Sequence, residues 1–302
     1  MRAFTLDSLE IPPALREDLP APVPADDQVL VRVHASSVNP VDNAIAAGML
    51  SGMAEHRFPV VLGRDFAGVV EQAGANVEGV AEGDEVFGFV VHADPDVHEG
   101  SWAERIAVSQ EKILAPVPAG VDLATAGVAP LAGLTALAAI DALELSEGDT
   151  LLVVGATGGV GSLAVQLAAK AGARVVAPAL PEDEAFLRDL GVSELLPRDG
   201  NLDGVGADAL LDTVSYGPGA YDSALKDGAR VVSPNGAAGD GPGHTNVMAS
   251  AHGDSLPRLG ALLADGTLRV PVQATHDLVD AGDALAALAG THTQGKHAIR
   301  IA

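Results

Sequence analysis

The apolar residues of the first 120 positions fall in short runs that glycines interrupt. Residues 28–35 alternate apolar and polar side chains, as a half-buried strand does, and Val60 and Val61 lead into the apolar segment 63–71. Residues 83–88 add a turn and another short strand. Strands separated by glycine turns are typical of a barrel-like or rolled sheet. The proline-rich segment 115–120 then predicts a domain boundary.

After residue 121 the pattern changes to helices that alternate with buried strands. Asp122 is placed to cap a helix that begins near Leu123 and continues through Ala139. The elements predicted next are strand 151–154, a helix after residue 161, strand 173–177, helix 182–190, a short strand near 194–196, strand 209–212, a helix near 219–226 and strand 229–232. That succession predicts a doubly wound parallel sheet. A loop at 235–246, a helix at about 255–264, the segment 267–270, a helix near 280–289 and a last strand at 297–301 complete the chain.

The connection between the first strand and helix of this parallel sheet carries Gly155, Gly158, Gly159 and Gly161. Glycine allows a sharp turn off the strand, lets a pyrophosphate approach the backbone, and lets the helix pack close to the sheet. The free N–H groups and positive dipole of the helix N-terminus favour phosphate. The spacing G-x-x-G-x-x-G departs by one residue from the dinucleotide fingerprint, so the context between strand and helix carries the interpretation. The alternative is a strand–helix turn that binds no nucleotide.

Composition narrows the possible functions. The chain has 302 residues, which suits two domains, and 48% of them are hydrophobic, enough to bury a core. A net charge of −24 opposes binding to nucleic acid and to anionic membrane surfaces. The absence of cysteine excludes disulfides, thiol catalysis and cysteine-ligated zinc, and the nine histidines have no close-spaced ligand pattern. His92 and His98 lie in an acidic loop and are interpreted as solvated. The sequence contains no signal peptide and predicts no membrane insertion, so we expect a cytoplasmic protein.

Several short motifs follow one another in a characteristic order. They are Ser-Val-Asn-Pro-Val-Asp at 37–42, Gly-Arg-Asp-Phe-Ala-Gly at 63–68, Gly-Asp-Glu-Val-Phe-Gly at 83–88, Gly-Ser-Trp-Ala-Glu at 100–104, Gly-Leu-Thr-Ala at 133–136, the glycine turn at 155–161, Leu-Asp-Thr-Val at 211–214 and Gly-Lys at 295–296. In this order they resemble the medium-chain dehydrogenase/reductase superfamily and its zinc-independent quinone oxidoreductase (zeta-crystallin-like) branch. The resemblance implies an α/β protein with a GroES-like catalytic domain over 1–120, completed by about 250–302, and a Rossmann NAD(P)-binding domain over 121–249. It also implies a homodimer.

The same resemblance supplies candidate catalytic residues. Zinc-dependent relatives use a cysteine, a histidine in a Gly-His-Glu block and a further cysteine or aspartate, whereas this chain has Ser37 and Arg64 in the corresponding segments, so no metal is expected. By resemblance Asn39 and Asp42 line the nicotinamide end of the cleft and Arg64 borders it. Asn39 is interpreted either as a donor to a developing oxyanion or a ribose hydroxyl, or as part of an Asn-Pro turn. The alternative for Arg64 is an ion pair with Asp65 or another carboxylate.

We expect the cofactor along the carboxyl edge of the parallel sheet. The residues assigned to it are Thr135, Gly155, Ala156, Thr157, Gly158, Gly159, Val160, Gly161, Asp212, Thr213, Val214, Ser233 and Asn235. NAD enzymes carry an acid about 20 residues past the turn, but residues 177–180 are Ala-Pro-Ala-Leu. Residues 182–184 are acidic, and the nearest cations are Arg188 and Arg198; the prediction of NADPH over NADH therefore rests mostly on the family. Lys296, in the Gly-Lys pair, is interpreted as an exposed lysine.

The resulting hypothesis is a zinc-independent oxidoreductase that transfers a hydride from NADPH to a quinone. Without a metal Lewis acid, a quinone or an activated enone is an acceptor that is electrophilic enough to be reduced. Relatives often place a tyrosine after the motif at 37–42, but the tyrosines here are Tyr216 and Tyr221. A quinone does not need a dedicated acid, so this favours the quinone. The alternatives are an NADPH-dependent enone or enoyl reductase of the same fold, and a low-turnover NADPH-binding sensor or structural protein.

Overall fold

The computed structural model describes residues 1–52, 56–91, 100–109, 114–250, 254–290 and 292–302, so His92 and His98 lie outside the described residues. The strands are β1 (Ala3–Leu6), β2 (Ala14–Arg16), β3 (Gln28–Val38), β4 (Val60–Val61), β5 (Asp65–Ala73), β6 (Glu85–Phe89), β7 (Arg105–Ser109), β8 (Leu114–Pro116), β9 (Thr150–Val154), β10 (Arg174–Ala179), β11 (Glu194–Pro197), β12 (Ala207–Asp212), β13 (Leu225–Ser233), β14 (His244–Asn246), β15 (Val272–Asp277) and β16 (Lys296–Arg300). The α-helices are α1 (Pro40–Ala46), α2 (Leu123–Val128), α3 (Pro130–Leu143), α4 (Gly159–Lys170), α5 (Glu184–Leu190), α6 (Ser255–Ala264) and α7 (Ala281–Gly290).

The first third of the chain builds a seven-stranded sheet that the end of the chain completes. The strand order is β15-β16-β3-β5-β6-β8, and β7 also pairs with β3. The alternation of β3 buries Val29, Val31 and Val33 on one face, as the sequence pattern predicts. The last strand, β16, runs antiparallel to β3 and places His297 opposite Val38. A separate three-stranded sheet of β2, β1 and β4 lies in the N-terminal part.

The middle of the chain forms a six-stranded parallel sheet in the order β11-β10-β9-β12-β13-β14. Numbered along the chain, this is the order 3-2-1-4-5-6 of a doubly wound fold, and the order reverses between β9 and β12. The apolar run of β9 is buried along its whole length, as expected for a central parallel strand. The predicted α/β class with a doubly wound parallel sheet is confirmed. Ligands of such sheets bind at the carboxyl ends of the strands, beside the reversal.

The helix predicted near 219–226 is wrong. Two short 3₁₀ turns, Pro218–Ala220 and Asp222–Ala224, occupy this segment, and β13 already begins at Leu225. Gly217 has a φ of 84° and Gly219 follows Pro218, so the start of this segment favours turns, and β13 takes Leu225 and Lys226 before a helix can form.

Other boundaries near the parallel sheet also differ from the prediction. The helix expected to run from Leu123 to Ala139 is divided into α2 and α3 at Pro130. Proline has no backbone N–H to donate within a helix, but it is tolerated at the first position of one. Asp122 caps α2 as predicted, and its carboxylate accepts from the Thr125 N–H at 2.6 Å. Within the predicted loop 235–246, β14 pairs in parallel with β13 at the sheet edge. The strand of the tail is β15, which follows the segment 267–270.

Within the described residues, the structure contains no helix that is both long and apolar enough to cross a membrane.

Candidate active site

A cleft of about 700 Å³ lies against the carboxyl edge of the parallel sheet. One wall consists of the glycine turn after β9 and the residues that follow β12 and β13. The opposite wall consists of residues at the end of β3 and the start of β16. The residues that line the whole cleft include Val38, Asn39, Arg64, Leu131, Thr135, the seven residues from Gly155 to Gly161, Arg198, Thr213, Val214, Tyr216, Tyr221, Asn235, His292, Gly295, Lys296 and His297. The cleft therefore brings together residues from both sheets.

The glycine turn has the geometry that a phosphate site needs. Gly155 has a φ of 83°, and a Cβ on it would lie 2.1 Å from the Thr213 hydroxyl oxygen. A Cβ on Gly161 would lie 2.1 Å from the Gly155 carbonyl oxygen, so both positions require glycine. A Cβ on Gly158 would meet nothing closer than 3.5 Å, which leaves space beside the N-terminus of α4. These residues fit a dinucleotide whose pyrophosphate lies against the helix N-terminus.

The tail of the chain is attached directly to this turn. The Gly295 N–H donates to the Thr157 carbonyl at 2.7 Å, and Gly295 forms a bridge with Gly158. Gly295 has a φ of 91°, and a Cβ there would lie 2.2 Å from the Pro271 carbonyl oxygen. Strand β16 thus starts at the phosphate turn and continues beside β3.

Lys296 lies between the two walls of the cleft. Its side chain is only 4% exposed, so the prediction of an exposed lysine is wrong. The Cδ atom lies 2.8 Å from the position that a Cβ on Gly159 would take, so the lysine passes over the start of α4. The ammonium donates to Asn39 Oδ1 at 2.5 Å and to the Val38 carbonyl at 3.1 Å. Burial lowers the pKa of Lys296, and the nearby Asp65 carboxylate opposes this shift.

Asn39 is both a helix cap and part of the cleft wall. Its backbone N–H donates to Asp42 Oδ2 at 2.8 Å, which stabilises the first turn of α1 beginning at Pro40. The side chain borders the cleft, and its Nδ2 donates to Asp65 Oδ2 at 2.8 Å. The two interpretations of Asn39, turn residue and cleft residue, are therefore compatible.

Asp65 is the buried centre of this cluster, and the sequence interpretation mentioned it only as a partner for Arg64. Its Oδ1 accepts from the Leu131 N–H at 2.6 Å, and its Oδ2 accepts from the Ser37 hydroxyl at 2.5 Å as well as from Asn39. The Lys296 ammonium lies 3.6 Å from Oδ2. The sequence contains a Gly-x-Asp block and, separately, a Ser-x-Asn block. The hydrogen bonds from Ser37 and Asn39 to Asp65 depend on the pairing of β3 with β5, which brings the two blocks together.

Arg64 pairs with Asp42 rather than with its neighbour Asp65. The Arg64 Nε lies 3.8 Å from Asp42 Oδ1, and its Nη2 donates to the Val61 carbonyl at 3.0 Å. Both side chains are buried, and Arg64 borders the cleft while Asp42 lies behind it. Burial raises the pKa of Asp42 to about 6, although Arg64 acts in the opposite direction.

Two of the residues assigned to the cofactor lie behind the cleft wall. The Asp212 carboxylate accepts from the N–H groups of Val214 and Ser215, each at 2.9 Å, and therefore holds the turn after β12. The Ser233 hydroxyl accepts from the Asn235 N–H at 3.2 Å and holds the turn after β13. Both side chains accept hydrogen bonds from backbone N–H groups of these turns and so shape the wall that Val214 and Asn235 present. Neither side chain borders the cleft, and their assignment as cofactor contacts stays a prediction.

Thr135 borders the cleft, but its hydroxyl donates to the Leu131 carbonyl at 2.7 Å, one turn earlier in α3. The Thr135 hydroxyl is thus bonded to its own helix. The hydroxyl oxygen still has lone pairs that can accept a hydrogen bond from a ligand.

The end of the cleft beside β10 contains residues that the sequence did not single out. Asp183 is buried, and its carboxylate accepts from His292 Nε2 at 2.7 Å, Gln294 Nε2 at 2.9 Å and the Leu180 N–H at 3.1 Å. Arg198 borders this end, whereas Arg188 is exposed and paired with Glu184. For Asp183 the signal in the sequence was the acidic run at 182–184, and its side-chain partners His292 and Gln294 come from the distant tail.

Tyr216 and Tyr221 border the same cleft on the side of the parallel sheet. Their ring centroids lie 6.3 Å apart, and Tyr221 packs with the apolar side chains of that sheet. Burial raises the pKa of Tyr221 above its usual range. These rings give this part of the cleft an apolar surface.

Within the described part of the chain, no group of three or more histidine, aspartate or glutamate side chains is arranged to hold a metal ion.

Comparison with known proteins identifies two matching families. Residues 25–119 match the alcohol dehydrogenase GroES-like domain, and residues 183–299 match a family described as zinc-binding dehydrogenase. The chain is 33% identical over 294 residues to the chloroplastic NADPH-dependent alkenal/one oxidoreductase of Arabidopsis thaliana, which covers 93% of this chain and 74% of that protein. It is 33% identical over 269 residues to the 2-methylene-furan-3-one reductase of Solanum lycopersicum, covering 84% of this chain and 66% of that protein.

Quinone oxidoreductases are also among the similar proteins. The chloroplast envelope quinone oxidoreductase homolog of A. thaliana is 35% identical over 184 residues, which are 59% of this chain and 54% of that protein. The chain thus spans between about half and three quarters of these relatives. The structure of the quinone oxidoreductase from Coxiella burnetii superposes with a TM-score of 0.90 at 29% identity, over 100% of this chain and 99% of that one. The predicted GroES-like domain is confirmed, and the chain belongs to the medium-chain dehydrogenase/reductase superfamily of oxidoreductases, in which its relatives include proteins named quinone oxidoreductase and alkenal/one oxidoreductase.

Proposed function

We propose that this protein is a zinc-independent reductase that transfers a hydride from NADPH to a quinone. The observation that carries the proposal is the composition of the two cleft walls. The glycine turn and the N-terminus of α4 form a phosphate site on one wall. On the other wall, Arg64, Asn39 and Lys296 form a polar cluster at the end of β3. Ser37 and Arg64 stand in the segments where, by the resemblance, metal-dependent relatives carry zinc ligands.

The residues at the β10 end of the cleft support NADPH over NADH. An NAD enzyme uses a free carboxylate at this position to accept the ribose hydroxyls. Here the Asp183 carboxylate already accepts from His292, Gln294 and the Leu180 N–H. Arg198 borders the same end and offers a cation to a 2′-phosphate. The Arabidopsis alkenal/one oxidoreductase, one of the relatives, is named as NADPH-dependent. When bound, the cofactor supplies the hydride.

The substrate end of the cleft offers N–H donors to an acceptor oxygen. Asn39 Oδ1 accepts from Lys296, and Nδ2 donates to Asp65. Asn39 Nδ2 also donates to Ser37 Oγ at 3.4 Å, and Ser37 Oγ lies 2.5 Å from Asp65 Oδ2. Because the two acceptors are so close together, they lie on the same side of the amide nitrogen, and one of its two N–H groups serves both. A donor that already points at the oxygen before reaction stabilises the negative charge that develops there. This arrangement suits a quinone oxygen.

An enone reductase is the second candidate, and specific relatives favour it. The alkenal/one oxidoreductase and the 2-methylene-furan-3-one reductase are named for such acceptors. The same N–H donors would stabilise an enolate oxygen. A low-turnover NADPH-binding sensor or structural protein is the third candidate, and it would use the same phosphate turn.

Absorbance of the reduced nicotinamide distinguishes these candidates. Purified protein treated with a chelator is mixed with NADPH or NADH and with a small quinone, an aliphatic enone or no acceptor. We expect NADPH to be consumed rapidly with the quinone. Consumption with the enone alone would identify an enone reductase, and tight NADPH binding without consumption would identify the sensor. Loss of activity on chelation, restored by Zn²⁺, would overturn zinc independence.

We also propose a homodimer and the domain limits 1–120, 121–249 and about 250–302. The pairing of β16 with β3, and of β15 with β16, supports the assignment of the tail to the first domain. Light scattering of the purified protein measures the mass, and a monomeric mass would refute the dimer.

A further inference from the structure

We propose that Lys296 is a positioning residue that fixes the orientation of the Asn39 side-chain amide, so that Asn39 presents an N–H to the substrate oxygen. The inference rests on the proposed reductase function and deepens it. It concerns a residue on the last strand, far in sequence from the motif that contains Asn39. The Lys296 side chain reaches this motif across the start of α4.

The orientation of the Asn39 amide is set by two opposite charges. Its oxygen accepts from the Lys296 ammonium at 2.5 Å, and its nitrogen donates to the Asp65 carboxylate at 2.8 Å. An amide rotated by half a turn would place its NH₂ against the ammonium and its oxygen against the carboxylate. Both charge-assisted hydrogen bonds would become repulsive contacts. The amide is therefore held in one of its two orientations.

Lys296 is itself held rigidly enough to perform this role. Its neighbour Gly295 is hydrogen-bonded to Thr157 in the phosphate turn. Its stem crosses Gly159, where any side chain would occupy the space of the lysine Cδ. The ammonium also donates to the Val38 carbonyl at 3.1 Å. These contacts restrict the Lys296 side chain to one conformation and hold its buried ammonium in one position.

The charges around Lys296 compensate one another. Two carboxylates, Asp42 and Asp65, and two cations, Arg64 and Lys296, are buried together at the cleft. Removal of the lysine charge alone leaves a buried carboxylate without its counterion, which destabilises a protein. Asp65→Asn together with Lys296→Met removes both charges, so this double variant leaves no uncompensated ion and is the second test variant.

The kinetic test is a double-mutant cycle with Lys296→Met and Asn39→Ala. Loss of an oxyanion donor lowers kcat by about 10²–10³-fold, and we expect Lys296→Met to lower kcat by about 10–100-fold because the amide is still present but no longer held. In the Asn39→Ala background, Lys296→Met should have little further effect, since a residue that acts through Asn39 has nothing left to position. The KM for NADPH should change little, and Lys296→Arg should restore part of kcat. Lys226→Met removes an exposed lysine paired with Asp208 and is the matched control.

A second readout does not require turnover. The side-chain amide ¹⁵N–¹H signals of Asn39 are assigned by their disappearance in Asn39→Ala. We expect both signals to shift, and their protection from solvent exchange to be lost, in Lys296→Met and in the Asp65→Asn/Lys296→Met variant. Unchanged amide signals would overturn the proposal, and so would an equal loss of kcat in the presence and absence of Asn39. A wild-type protein without turnover would refute the reductase function, while the amide signals would still decide the role of Lys296.

Discussion

Several ionisable side chains at this cleft are buried, although their charged forms would be more stable in water. Asp42 is fully buried, and its nearest cation is the Arg64 guanidinium, 3.8 Å away. Burial disfavours the ionised carboxylate and raises the pKa of Asp42 to about 6. Such a cluster costs stability, because the desolvation of buried ions is only partly offset by their attraction. We infer that it is retained for the function of the cleft rather than for stability.

The raised pKa of Asp42 leads to a pH-dependent stability. The folded protein holds a proton on Asp42 up to about pH 6, whereas the unfolded chain loses it near 3.8, so the free energy of unfolding falls as pH rises through this window. The shift corresponds to at most about 3 kcal/mol, at 1.36 kcal/mol per pKa unit. Asp42→Asn lacks this titration. Urea unfolding at pH 4.5 and 7.5 should therefore show the variant gaining stability relative to wild type at the higher pH. Asp141→Asn, at an exposed position, is the control, and a difference independent of pH would contradict the prediction.

Gly158 is the residue at which the phosphate site can be tested directly. Its Cβ position is open, so Gly158→Asp should fold, but its carboxylate would occupy the space beside the N-terminus of α4. A like charge against a phosphate costs several kcal/mol, and we expect NADPH to bind more than about 100-fold more weakly. Fluorescence titration with NADPH measures this. Gly52→Asp, at an open position without a positive φ, is the control. Equal NADPH affinity in both variants and wild type would rule out this phosphate site.

At the scale of elements, short-range patterns predicted most of the parallel sheet. The strand, glycine turn and helix from β9 to α4 are adjacent in sequence, and their glycines carry local steric signals. The segment 219–226 lacked such a signal and was predicted wrongly as a helix. The contact between Lys296 and Asn39 joins residues 257 positions apart. It depends on the register of β16 against β3, which no local pattern determines, so Lys296 was predicted to be exposed.

The start of β16 is the element that joins the tail to the phosphate turn. Gly295→Ala combines an unfavourable positive φ with a Cβ placed 2.2 Å from the Pro271 carbonyl oxygen. We expect the free energy of unfolding to fall by about 2–4 kcal/mol and NADPH binding to weaken, because Gly295 also holds Thr157. Gly266→Ala has a positive φ but open space, so it isolates the backbone strain. Chemical denaturation and NADPH titration of both variants make the comparison. If the two variants lost the same stability, the close contact at Gly295 would have no energetic effect.

At the scale of the whole molecule, the charge of the protein and the charge of its proposed cofactor have the same sign. The net charge is −24, and NADPH is a polyanion, so the long-range field opposes their approach. The favourable groups act at short range: the N-terminus of α4 lies at the glycine turn, and Arg198 borders the cleft. Salt screens exposed charges beyond about 10 Å at 0.1 M but affects close or buried contacts less. The two contributions can therefore be separated by ionic strength.

We expect the association rate constant of NADPH to rise with salt, opposite to the behaviour of a protein that attracts its ligand by charge. Between 0.02 M and 0.3 M KCl the Debye length falls from roughly 20 Å to roughly 6 Å, which removes most of the long-range repulsion. Stopped-flow fluorescence of NADPH binding measures the rate. Arg198→Gln should lower affinity at every salt concentration and leave the upward slope intact, because the slope comes from the whole surface and the contact from one side chain. A rate that falls with salt would show that local cations, rather than the net charge, control the approach.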